Sequence, residues 1–398
     1  MRWLGATLAG ALLLLGAPAS AKTDPIAELP PYTAAYQPRT VDERGVWMMA
    51  DEGERLLRDS KFLVNDPGLN HYVLGVLCKT VGDSRCGGVR LYIVRTAAFN
   101  AAMAPNGMLV VNTGLLLRMR NEAELAAVLG HEFAHFEMRH SLNGFKQQRT
   151  ATDIFAWMGV AAAGAAYYGG GYGSVRSYQS AQIGAIGSIY ANDRAQETQA
   201  DLLSMAYLKT SPYDPGCFAD IWERIMGEAD ATARGRKQRI ARYDRVSFFA
   251  SHPTELARAQ YLRDIALKMN KGGEDGSQRF RDAMAKWRGD FLLDQIKLND
   301  FEGTDFLMGQ LAANQWTPDL LYSRAELYRA RGNPRDLVSA ISFYRQALEG
   351  DHNNAEAYRG LGLAQLRNRD PSGVEALKTY LAMRPDASDR AMISTLLQ

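Results

Sequence analysis

The chain of 398 residues carries 46 lysines and arginines against 44 aspartates and glutamates, with 46% apolar and 23% charged residues. That length suits two or three domains with an ample core, and the composition is ordinary for a globular protein. A net charge of +2, with no basic run interleaved with aromatics, gives no drive towards nucleic acid, and none is expected as a partner.

The first 21 residues read as a signal peptide. Met1-Arg2 supplies a short positive start, Leu4 to Gly16 is apolar, and Ala19-Ser20-Ala21 is a small-residue cleavage site with Lys22 as the first mature residue. No cysteine follows that site, so lipid attachment is not indicated. Export implies an oxidising compartment. Cys78 and Cys86 flank the turn-forming Gly82-Asp83-Ser84, and a local disulfide is expected there. Cys217 is left over and reads as a buried free thiol, since no activating histidine lies near it in sequence.

Gly107 to Gly114 is a short apolar run bounded by glycines. It fits an ordinary core strand and a sheet edge that holds an extended peptide equally well. A helix is expected next, over residues 122–139, with Asn121 as N-cap and Glu124 closing a capping box. Leu125, Val128, Leu129 and Phe136 form its apolar stripe, and Arg139 and His140 suit the negative end of its dipole. This helix contains His131-Glu132-Phe133-Ala134-His135. Histidines four apart on a helix present both imidazoles to one point, as a zinc ion requires, and Glu132 beside them is placed to act as general base.

Two histidines leave a tetrahedral zinc short of one protein ligand plus its water. Glu197 and Asp201 are four apart and share a helix face. Glu197 is the candidate third ligand, and Asp201 the acceptor that orients a ligating imidazole. Between these motifs, Ile154 to Tyr168 is apolar and alanine-rich, and Gly169 to Gly173 breaks any helix. Fifteen helical residues reach about 22 Å, short of a bilayer core of about 30 Å. Residues 154–173 are therefore read as a mobile lid, a patch resting on a membrane surface, or a buried helix. His71, His140 and His352 have no supporting motif and read as surface or boundary residues.

Lys271 to Ser277 is polar and glycine-rich, and reads as a linker. Beyond it lie paired amphipathic helices. Ala340, Tyr344 and Ala347 fit the small–aromatic–small spacing of a tetratricopeptide second helix, and Tyr358, Leu361 and Gly362 the start of the next repeat. Residues 281–314 fit a more degenerate pair. Stacked pairs of this kind build concave surfaces that bind proteins.

The run Asn121 to His135 resembles the family of the heat-shock protease HtpX and the CaaX prenyl protease. Arg194, Glu197 and Ala200-Asp201 resemble that family's second metal motif. Ser251-His252-Pro253, with Arg258 beyond, resembles its histidine-proline element. With the signal peptide and the repeats, the chain is most similar to the periplasmic beta-barrel assembly-enhancing protease branch. The resemblance implies one zinc per chain held by His131, His135 and Glu197, with Glu132 as general base and Asp201 as supporting acid. It further implies that His252 either donates to the oxyanion or occupies the open zinc position. It also favours the substrate-edge reading of Gly107 to Gly114.

The expected architecture is α+β and mostly helical. A signal peptide (1–21) precedes a gluzincin-type metalloprotease domain with a small sheet (22–270), and an all-α, tetratricopeptide-like repeat domain follows (271–398). The expected function is a periplasmic zinc endopeptidase acting on misfolded or stalled envelope and outer-membrane proteins. Its repeats would recruit clients or the outer-membrane assembly machinery, and residues 154–173 would give peripheral membrane contact. The alternative is a chaperone or assembly scaffold working through the repeats.

Overall fold

A computed structural model describes residues 28–148, 194–243, 255–313 and 315–397. The stretch read as a signal peptide (1–21), the 154–173 segment and His252 lie outside the described residues. An extended stretch leads into helix α1 (Val41–Arg58), opened by a capping box between Thr40 and Glu43. Helices α2 (Pro67–Val81) and α3 (Asp83–Cys86) follow, and a Cys78–Cys86 disulfide joins them, as the spacing suggested. Strands β1 (Arg90–Val94), β2 (Ala101–Met103) and β3 (Met108–Asn112) form one sheet in the order β1-β3-β2. β1 runs parallel to β3, and β2 antiparallel to it.

The order corrects one expectation. Every residue of β3 is buried, and it is the central strand rather than an edge. The edge is β2. Among the described residues no strand pairs with its outer side, whereas the outer side of β1 meets Leu63.

The chain then enters α4 (Thr113–Arg118), α5 (Glu122–Glu137) and α6 (His140–Gln148). After the undescribed stretch come α7 (Arg194–Thr210) and α8 (Cys217–Gly235), and then α9 (Glu255–Met269). α5 is the central element, packed by α2, α7, α8 and β2. Its apolar positions are not a stripe. Almost every residue from Glu122 to His135 is buried, Glu132 being half-buried, so the helix is enclosed on nearly all sides. Gly130 permits the α7 contact, since a Cβ there would lie 3.0 Å from Ser204 Oγ. Ser204 donates to the Ala127 carbonyl across the same contact at 2.8 Å.

The remaining helices are α10 (Ser277–Met284), α11 (Arg288–Ile296), α12 (Phe301–Ala312), α13 (Pro318–Arg331), α14 (Pro334–Gly350), α15 (Ala355–Arg367), α16 (Gly373–Met383) and α17 (Arg390–Thr395). α13 packs on α14, α14 on α15, and α15 on α16. Ala340, Tyr344 and Ala347 are all buried in these contacts, and Gly360 lets α15 approach the Tyr344 ring. Residues 271–277 are not a free tether. The Ala123 amide donates to the Asp275 carbonyl, the Asp214 amide donates to the Glu274 carbonyl, and the Lys271 ammonium donates to the Ser211 carbonyl. The apolar core that contains α5 continues through Phe280, Phe291 and Leu307 to Leu327.

Glu54 fastens α1 to the sheet. It is 3% exposed and accepts from Arg90 Nε and Nη2 at 2.6 Å each, from Tyr92 Oη at 2.8 Å and from Arg58 at 2.8 Å. The Arg90 bonds hold its carboxyl down at about 2. A depressed carboxyl stabilises the fold above its unfolded pKa, and that contribution is lost as the pH falls through the folded value. Chemical denaturation should therefore show Glu54→Ala destabilising by about 2–4 kcal/mol at pH 7. The gap to wild type should close between about pH 5 and pH 2.

Candidate metal centre

α5 begins at the expected N-cap, but the expected capping box does not close, because the Glu124 carboxylate bonds the amide before the cap residue and not that of Asn121 itself. Asn121 Oδ1 accepts from the Glu124 amide at 2.8 Å, while the Glu124 carboxylate reaches back to the Arg120 amide at 2.9 Å. It ends sooner than expected, at Glu137. Arg139 has φ +57°, which turns the chain back and leaves His140 as the first residue of α6 rather than the last turn of α5. Within α5, His131 and His135 project side by side with their Nε2 atoms 3.0 Å apart. Both are buried, and Glu132 between them is half-buried.

α7 crosses against α5 and delivers the two carboxylates. Glu197 Oε2 lies 3.5 Å from His131 Nε2, and Glu197 Oε1 lies 3.4 Å from His135 Nε2. His131, His135 and Glu197 thus bring one donor atom each within 4.8 Å of one another, all three buried. Ligands about 2.0–2.1 Å from a tetrahedral zinc stand about 3.3 Å apart, so these separations fit that ion. Two imidazoles and one carboxylate are also a zinc donor set that leaves one position open for water.

Asp201, one turn on, is wholly enclosed. It accepts from His131 Nδ1 at 2.8 Å, which leaves His131 Nε2 facing Glu197. α9 supplies the balancing cation. Arg258 is 2% exposed; its Nε donates to Asp201 at 2.8 Å, one terminal nitrogen donates at 2.5 Å, and the other stands 3.6 Å from Glu197. Tyr261 also donates to Asp201, and the guanidinium lies 3.8 Å from the centroid of the Trp222 ring. Burial alone would raise the Asp201 carboxyl, but Arg258 and His131 hold it at about 2. Burial would depress His131, yet the Asp201 charge and hydrogen bond hold it up at about 9 without metal. His135, whose Nδ1 faces the His140 imidazole, is pushed by burial down to about 2.

His140 was read as a surface or boundary residue, and the structure corrects that. It is buried under His135, Nδ1 to Nδ1 at 3.0 Å, and meets Gln199 Oε1 at 3.2 Å. Sequence reasoning missed Tyr261 and Trp222 as members of this centre and gave Arg258 no role of its own. Asp201, buried and therefore in need of a cation, is the one signal that pointed to an arginine. His71 and His352 are exposed, as expected. Burial pushes the half-buried Cys217 thiol up to about 12, which disfavours the thiolate at neutral pH.

Comparison with known proteins agrees with this centre. Residues 84–266 match the model of peptidase family M48. The beta-barrel assembly-enhancing protease of Yersinia pestis is 24% identical over 325 residues, 79% of this chain and 60% of that protein. That of Escherichia coli K12 is 24% identical over 243 residues, 61% of this chain and 48% of the relative. The metalloprotease LoiP of Escherichia coli K12 is 28% identical over 236 residues, 58% of this chain and 84% of that one. The chain therefore spans only about half to three-fifths of the two assembly-enhancing proteases.

Removing the Arg258 cation leaves Asp201 buried without its main partner. Urea unfolding should show Arg258→Met losing about 3–5 kcal/mol, with Arg258→Lys recovering only part because it cannot reproduce the two parallel bonds.

Proposed function

We propose that this chain, whose residues 84–266 form a peptidase family M48 domain, is an exported zinc-dependent endopeptidase of envelope proteins. The observation that carries the reading is the convergence of His131, His135 and Glu197 on one buried point, with half-buried Glu132 next to His131 on α5. The three would hold the ion, and a bound zinc would polarise the scissile carbonyl and acidify a water. Glu132 takes that water's proton and passes it to the departing amine. Asp201 fixes the His131 tautomer from a position that substrate cannot reach. The outer side of β2, adjacent to α5, receives the substrate main chain as an added strand, which reads backbone and tolerates varied side chains. His252 is assigned by resemblance either to the oxyanion or to the open metal position.

Clients are misfolded or stalled envelope proteins, including outer-membrane proteins. The names of the Yersinia pestis and Escherichia coli relatives support this part. The Cys78–Cys86 disulfide supports export to an oxidising periplasm. Among the described residues no helix is long and apolar enough to cross a membrane. The stacked helices α13 to α16 act as the tetratricopeptide-like module that recruits clients or assembly machinery. Because these helices also carry an apolar cluster of their own around Tyr344, a scaffold acting without proteolysis is the second reading.

Zinc content and casein hydrolysis test the proposal. Wild type should bind one zinc per chain. Glu132→Gln should retain the metal and lose about 10²–10⁴-fold in kcat. Hydrolysis unchanged in Glu132→Gln would overturn the protease reading, and full function of that variant in cells would favour the scaffold.

A further inference from the structure

We infer that His140 is a positioning residue that aims His135 at the metal through a relay running from Gln199 through His140 to His135. The inference rests on the zinc-site reading above and extends it to residues with no assigned role. On a continuous helix, position 140 would sit about 140° round the axis from His135. The left-handed Arg139 instead folds His140 back beneath the His135 ring, with the two Nδ1 atoms 3.0 Å apart and ring centroids 4.9 Å apart. On its other side, His140 Nε2 stands 3.2 Å from Gln199 Oε1. Gln199 lies on α7 two residues after Glu197, so the relay also ties the helix that carries the third ligand.

The atoms assign the protons. Gln199 Oε1 can only accept, so His140 Nε2 carries the proton between them. Neutral His140 then offers its Nδ1 lone pair to His135 Nδ1–H. That leaves the His135 Nε2 lone pair turned towards His131 and Glu197. Reversed polarity would place the proton on His135 Nε2 and close the site to a cation. The two metal histidines are therefore held differently, His131 by the Asp201 carboxylate and His135 by a neutral imidazole.

The test uses the purified full chain, zinc affinity by chelator competition, and the exchangeable imidazole N–H resonances of the Co(II)-loaded protein. His140→Phe keeps the ring and removes the acceptor. It should weaken zinc binding about 10- to 100-fold and lose or broaden the His135 N–H signal while sparing that of His131. His140→Asn, whose Oδ1 falls near the position of Nδ1, should restore most of both. Wild-type affinity and signals in His140→Phe would overturn the relay, as would equal impairment of the two variants. If metal-free melting shows that His140→Phe does not fold, Gln199→Leu decides instead: weakened zinc binding with faster N–H exchange at His135 supports the relay, and wild-type behaviour overturns it. A wild-type chain that binds no zinc would overturn the proposed function together with this role. Zinc binding that ignores both His140 and Gln199 would overturn this role alone.

Discussion

The structure is organised around the cost of enclosing charge. α5 is buried on nearly all sides, and α7 lies against it carrying Glu197 and Asp201, both almost wholly removed from water. Two carboxylates in such a place are untenable unless cations and donors surround them. Arg258 from α9, Tyr261 from the same helix and the two histidines of α5 meet that demand. The packing of α5, α7 and α9 and the chemistry of the centre are thus one arrangement. A change that separates these helices strands a charge, and a change that removes a charge loosens the helices.

This arrangement explains why part of the centre was legible in the sequence. Residues four apart on one helix share a face whatever surrounds them, so His131 with His135 and Glu197 with Asp201 could be paired locally. That the two pairs meet was inferable from the zinc's need for a third ligand. Arg258 and Trp222 were not legible in the same way, because they reach the centre from helices 20 to 60 residues further along the chain, and periodicity carries no record of such contacts. His140 was misread because a helix was carried past Glu137. One positive-φ residue, of a type that gives no hint of it, turned a supposed terminal histidine inward.

The sheet shows the same limit. The strand Met108–Asn112 was found from its apolar run, but the edge position that the resemblance favoured was not its place in the sheet. β1 reaches it by a parallel crossover, so the next strand in sequence, β2, takes the outside place. Order within a sheet depends on connections that side-chain alternation does not encode. The paired C-terminal helices fared better, since Ala340, Tyr344 and Ala347 mark a close helix contact through size alone. Residues 271–277 read as a tether from composition, yet their backbone groups and Lys271 are engaged with the strip around Pro212 to Asp214 and with Ser211.

That anchoring bears on how the two halves cooperate. A flexible tether would let a captured chain sample every approach to the metal, with an effective concentration set by tether length. Here the apolar core runs unbroken from α5 through Phe280 and Phe291 to Leu327, and Arg279 pairs with Glu122 at the start of the metal helix. If clients seat on the C-terminal helices, as proposed, they would meet the candidate metal centre at one fixed spacing and in one orientation. Under the proposed function such a molecule would act as a ruler, set to the length of unfolded chain between the point of capture and the bond presented for cleavage.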